Sequence, residues 1–137
     1  MRDVVINKVQ SIQRCVKRAR EEYRQAEDFV TDYTRQDAAI LNVLRACELS
    51  IDLAAFIISR RKLGLPTSSR EAFELLRDAG LIPSQLCDRL LKMVGFRNIA
   101  VHAYQSLDMK IVASVIQKDL DDLLAFADAI LQISDVA

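Results

Sequence analysis

The sequence predicts an all-α protein, an antiparallel four-helix bundle with one short additional helix. Three observations carry that reading. Apolar residues recur every three or four positions through most of the chain, the period of a helix with one buried face. Gly and Pro number only three and two, too few for a chain rich in turns. Hydrophobic residues make up 51% of the 137 residues, which is enough to bury a real core as a single domain spanning 1–137.

The first predicted helix carries Val5, Val9, Ile12, Val16, Ala19, Tyr23, Ala26 and Val30 on one stripe. Its outer face carries Lys8, Arg14, Lys17, Arg18 and Arg20 with no acid between them. Such a run is either a solvated face or a phosphate-tracking patch, the latter only if it faces the groove that holds the functional residues. The second helix, from about Gln36 to Lys62, differs in having two stripes. Ile40, Leu44, Cys47, Ile51, Ala54 and Ile58 form one; Ala39, Val43, Ala46, Leu53 and Ile57 form the other. A helix apolar on two sides needs two partners, here the bundle core and a second subunit, so a homodimer is expected. Glu48 and Asp52 lie four apart on this helix and share a face as like charges. They are either ion-pair partners of an arginine or supports that orient Arg97 or His102.

Gly64-Leu65-Pro66 is expected to end that helix. Ser68 and Glu71 then fit a capping box for a short helix through Phe73, Leu76 and Ala79, which Gly80 closes. Pro83 suits the first turn of the next helix, whose inward face is Leu86, Leu90 and Met93. Asp108 can cap a last helix, with Val112, Val115, Leu120, Leu123, Ala127 and Ile130 on its apolar side. The polar side of that helix is acidic, with Asp119, Asp121, Asp122 and Asp128 against Lys118, and it would complement the basic first helix if the two are neighbours.

Composition narrows the function. Lys+Arg and Asp+Glu are both 19, so any contact with nucleic acid must come from local patches rather than from bulk charge. Cys15, Cys47 and Cys87 are odd in number and widely spaced, which reads as buried thiols in a reducing compartment. The opening Met1-Arg2-Asp3-Val4 has no signal-peptide character, and the most apolar run, Leu53 to Ile58, is too short for a bilayer. A soluble cytoplasmic protein without membrane contact is therefore expected. A single histidine and no Glu-x-x-His pair argue against a bundle metal site. There is no G-x-S-x-G elbow and no Gly-rich phosphate loop, and no cofactor is expected.

One stretch gathers chemistry: Gly95-Phe96-Arg97-Asn98-Ile99-Ala100-Val101-His102-Ala103-Tyr104. On an ideal helix Arg97 and Tyr104 fall within about 20° of each other, whereas Arg97 and His102 lie about 140° apart. Either the helix is disturbed, with Gly95 the natural place, or the site is a wide groove completed by a second copy of the chain. One His and one Arg can cleave RNA without a metal. The ribose 2′-hydroxyl is a built-in nucleophile, a histidine near its ordinary pKa of about 6.5 can move the proton, and an arginine fork can hold the phosphorane oxygens. A single His cannot be base and acid at once, which again favours two copies. Asn98, four before His102, is placed to hold its ring. Tyr104 is either a groove-rim residue that stacks on a base or a group with a role of its own.

Arg97, four residues, His102, one residue, Tyr104 resembles the R-x4-H-x-Y signature of HEPN-domain toxins of the HepT family. Ser68-Ser69-Arg70-Glu71-Ala72-Phe73, Lys92-Met93-Val94-Gly95-Phe96-Arg97-Asn98 and Asp108 resemble the same family, so the likeness spans roughly the whole chain. It implies a homodimeric HEPN-like fold and a metal-independent endoribonuclease with Arg97 and His102 as catalytic residues. It also implies a toxin–antitoxin partner, a minimal nucleotidyltransferase (MNT) antitoxin that transfers AMP to Tyr104. Two other classes stay open: a catalytically silent nucleotide- or RNA-binding module, and a structural dimerisation partner of the nucleotidyltransferase.

Overall fold

Six α-helices and no strands make up the described part of the computed structural model, residues 2–24 and 28–133. Helix α1 (Arg2–Arg24) buries Val5, Val9, Ile12, Val16 and Ala19, as its spacing predicts. Ala26 lies outside the described residues. Val30 departs from the expected stripe: the chain turns at Asp28, whose carbonyl accepts from the Thr31 and Asp32 N–H groups, and Val30 is exposed. Phe29 is the residue buried there, edge-on to Tyr23 with ring centroids 5.0 Å apart.

Helix α2 (Tyr33–Arg61) starts where the Asp32 carboxylate accepts from the Arg35 N–H at 3.1 Å. Its end comes earlier than the glycine suggested. Lys62 takes the left-handed conformation at φ 55°, and the Leu63 N–H reaches back to the Ile58 carbonyl at 3.0 Å. Two buried polar side chains on α2 are satisfied internally. The Gln36 amide donates to the carbonyls of Phe29 and Val30, tying the α1–α2 turn to the helix, and the Ser50 hydroxyl donates to the Ala46 carbonyl.

Helix α3 (Ser69–Asp78) has the predicted cap. Ser68 Oγ accepts from the Glu71 N–H at 3.1 Å, while the Glu71 carboxylate accepts from the Thr67 N–H rather than that of Ser68. Gly80, at φ 75°, follows the helix and permits the Leu81 N–H to reach the Leu76 carbonyl. Pro83 stands just before α4 (Ser84–His102), where its missing N–H costs nothing. The last long helix is α5 (Met109–Ser114), a π-helical turn (Val115–Asp119) and α6 (Leu120–Leu131) in unbroken succession. Asp108 caps it through the Lys110 N–H at 2.8 Å.

The pairings between helices run in opposite senses along the chain, which is the mark of antiparallel neighbours. Arg20 of α1 meets Asp121 and Tyr23 meets Gln117; Arg97 of α4 meets Glu48 of α2 and Tyr104 meets Asp37. The basic first helix and acidic last helix are thus neighbours, as their charges suggested. Arg20 bonds both Asp121 at 2.9 Å and the Ile116 carbonyl in the π turn, and Arg89 of α4 pairs with Asp122 at 2.8 Å. Helix α3 packs on α2 and α4 as the short extra element, with Phe73 edge-on to Phe126 of α6.

One expectation fails here. Ala39, Val43, Ala46, Leu53 and Ile57, the second stripe of α2, are all buried inside the chain. So are Ile40, Cys47, Ala54 and Ile58 of the first stripe. Because α2 is the central helix, flanked by α1, α3, α4 and α6, both stripes find partners within one copy. Leu44 and Ile51 of the first stripe are partly buried against the same core, so the two stripes do not by themselves call for a second subunit.

Candidate functional site

Helix α4 runs through Gly95 without distortion. No positive φ occurs there, and an added Cβ would meet nothing within 4 Å. The disturbed-helix alternative is thereby removed. The helix ends instead at His102, with the Ala103 N–H bonded to the Ile99 carbonyl at 2.7 Å. Tyr104 opens a 3-10 turn (Tyr104–Ser106), so the helical projection that set it beside Arg97 does not apply.

Arg97 is half-buried and held at two points. Its Nε donates to Glu48 Oε1 at 2.5 Å, and its Nη1 donates to the neighbouring Asn98 Oδ1 at 2.9 Å. The guanidinium plane is therefore fixed by a carboxylate from α2 and an amide from its own helix. Of the partners considered for Glu48, the structure gives it the ion pair with Arg97. Asp52, one turn further, is exposed and makes no ion pair among the described residues. Asn98 serves Arg97, not His102. The reason is reach: Asn98 and Arg97 are adjacent at the point where the fork turns towards α2, while the His102 side chain stands exposed at the helix end. His102 makes no hydrogen bond among the described residues.

Tyr104 bends back onto the first turns of α2, where its hydroxyl donates to Asp37 Oδ1. Partial burial, this hydrogen bond and the Asp37 charge push its pKa up to about 12. Asp37 was missed in the sequence reading. A signal was available: Asp37 and Glu48 are eleven residues apart, three turns of helix, and so share one face within about 20°. That face of α2 is the one that meets Arg97 and Tyr104.

An open cleft of about 820 Å³ lies between α1 and α2, lined by Arg14, Arg18, Asn42, Arg45, Glu48 and Asp52 among others. It divides the basic face of α1. Arg14 and Arg18 face the side where Glu48 holds Arg97, whereas Arg20 is committed to α6. Arg18 also pairs with Glu22 at 3.5 Å, an acid on the same helix. Exposed apolar residues flank the site: Leu41 on α2, and Ile99 and Val101 on α4, each about half exposed.

The sequence and the all-helical architecture find counterparts among known proteins. A family model described as "Ribonuclease HepT-like" matches residues 10–130. The chain belongs to the HepT-like ribonuclease family. It is 48% identical, over 95% of its length and 98% of the relative's, to the mRNA nuclease HepT of Shewanella oneidensis. The same identity and coverage hold against the solved structure of a tri-AMPylated Shewanella oneidensis HEPN toxin in complex with its MNT antitoxin, at a TM-score of 0.89. A toxin–antitoxin structure with AMP-PNP matches at 47% identity and a TM-score of 0.88, covering 93% of this chain and 97% of that one. The HEPN-like fold expected of the chain is thus the fold it has.

Among the described residues no His, Cys, Asp and Glu side chains gather into a group of three or more that could hold a metal. No described helix is long and apolar enough to cross a membrane. Cys15, Cys47 and Cys87 are free and buried, and burial above all pushes the Cys47 thiol up to about 12, so it packs as a small apolar group.

Proposed function

We propose that this chain is the toxin of a HEPN–MNT toxin–antitoxin pair, a metal-independent endoribonuclease that acts on RNA in the cytoplasm. The observation that carries the reading is the doubly held guanidinium of Arg97 on the helix that ends in an exposed His102. An arginine with its plane fixed in advance pays no reorganisation when charge develops on a phosphate. Its unused N–H groups take the phosphorane oxygens as the ribose 2′-oxygen attacks the adjacent phosphorus. The 5′-oxygen leaves and the product carries a 2′,3′-cyclic phosphate. One His102 takes the 2′-proton and a second protonates the leaving oxygen, so the active species is a homodimer with both rings in one groove. Leu41, Ile99 and Val101 beside the site offer apolar surface for that second copy, in place of the α2 stripes that the fold itself consumes.

Neutralisation runs through Tyr104. The cognate MNT nucleotidyltransferase transfers AMP to its phenol, and each AMP brings a phosphodiester charge that competes with RNA for Arg97. The likeness to a tri-AMPylated HEPN toxin bound to its MNT antitoxin supports this.

The deciding experiment is cleavage of a defined RNA by the intact protein and by His102→Ala, with and without EDTA. The intact protein should cleave in EDTA and His102→Ala should not, while both sediment as dimers. Activity abolished by EDTA, or equal cleavage by His102→Ala, would overturn the assignment. Tyr104→Phe should stay toxic in cells that co-express the nucleotidyltransferase.

A further inference from the structure

The hydrogen bond between Tyr104 and Asp37 has no part in RNA cleavage as derived above, because among the described residues Arg97 is held by Glu48 and Asn98. Yet it is a specific contact across the fold. It joins a tyrosine in the turn after α4 to an exposed carboxylate on the second turn of α2, 67 residues away in sequence. Tyr104 is 40% exposed, so the residue lies at the surface of the fold, on the side a partner can approach.

A phenol is a weak nucleophile while it keeps its proton, and this one keeps it tenaciously: burial, the Asp37 hydrogen bond and the Asp37 charge all favour the neutral form. The resting state is therefore a full hydroxyl pointed at a carboxylate. As its oxygen begins to bond to phosphorus the phenol becomes far more acidic, and a base already in contact can then receive the proton without any rearrangement.

We propose that Asp37 is the general base for nucleotidyl transfer to Tyr104, the donor being a nucleoside triphosphate delivered by a partner nucleotidyltransferase. The proposal rests on the reading that Tyr104 is the acceptor. The Tyr104 oxygen attacks the α-phosphorus and forms a new O–P bond. The bond from that phosphorus to the bridging oxygen breaks, and pyrophosphate leaves with its electron pair. The phenolic proton passes to Asp37 Oδ1 and from there to solvent, which restores the carboxylate. The products are a tyrosyl nucleotide, pyrophosphate and one proton. The toxin thus supplies part of the machinery of its own modification, while triphosphate binding stays with the partner.

The test uses the full chain with its cognate nucleotidyltransferase and ATP, and follows the mass of the toxin over time. Asp37→Asn keeps the size of the side chain and a hydrogen-bonding oxygen but cannot take a proton. It should lower kcat for AMP addition by about 10²-fold or more, at unchanged KM for the toxin. Asp37→Glu should recover most of the rate. An Asp37→Asn protein modified at the parent's kcat would overturn the proposal, and so would a defect confined to KM, which would make Asp37 a docking contact. Asp37→Ala, read the same way, covers the case in which Asp37→Asn folds poorly. Tyr104→Phe separates this failure from that of the underlying reading: if it still gains AMP the acceptor lies elsewhere and both fall, whereas a fast Asp37→Asn beside an unmodified Tyr104→Phe sinks the base alone.

Discussion

Replacing Arg97 with lysine keeps one positive charge and removes the planar fork. In the intact protein two of the about five guanidinium N–H groups are spent on Glu48 and Asn98, leaving about three to face a phosphate. A lysine ammonium is a point charge on a flexible stem and cannot hold that plane. Loss of one aligned donor to a developing oxyanion costs about 10²–10³-fold in rate, or about 2.7–4 kcal/mol, so Arg97→Lys should retain on the order of 1% of RNA cleavage or less. The stability cost is much smaller. The Arg97 and Glu48 side chains are 26% and 47% exposed, so solvent screens the pair. Its loss should cost no more than about 1 kcal/mol, a fall of roughly 3–5 °C in Tm for a chain of this size. Single-turnover cleavage of an end-labelled RNA with enzyme in excess measures the first quantity, and calorimetry the second. A rate within about threefold of the parent would refute the fork argument. A variant already unfolded at the assay temperature would refute the assignment of Arg97 to chemistry rather than to the fold.

Three further outcomes are expected. Glu48→Gln keeps an acceptor for Arg97 Nε but removes its charge, so it should cleave RNA at a rate between those of the parent and Arg97→Lys; full activity would mean that Glu48 does not orient the fork. Tyr104 should form phenolate only near pH 12 in an absorbance titration, and in Asp37→Asn its midpoint should move down part of the way, because burial remains. Because the folded pKa is the raised one, by burial first and then by the Asp37 contact, the neutral phenol's stability contribution is present below about pH 10 and is lost as the pH climbs through about 12; a Tyr104 midpoint unmoved by Asp37→Asn would contradict the hydrogen bond. Phe126→Ala should cost about 3–5 kcal/mol in chemical denaturation, because the ring is fully buried and edge-on to Phe73 at 5.3 Å. A loss under about 1 kcal/mol would mean that α3 is not docked through that pair.

Much of this protein was determined by local rules that the sequence carries by itself. The stripes of α1 and of the last helix, the Ser68 and Asp108 caps, and the left-handed Gly80 depend on residues within a turn or two of one another. Helical periodicity and capping chemistry make such features legible. The R-x4-H-x-Y spacing and its flanks were equally plain, and they led to the family to which the chain belongs. Partnership between helices was not legible, because it depends on the register at which two faces meet. That Glu48 fixes Arg97, that Asn98 turns to Arg97 and away from His102, and that Asp37 receives the Tyr104 hydroxyl are decided by the antiparallel packing of α4 on α2. The same holds for the second stripe of α2. A periodicity records that a face is apolar but not what covers it, and the central place of α2 lets the chain cover both stripes itself.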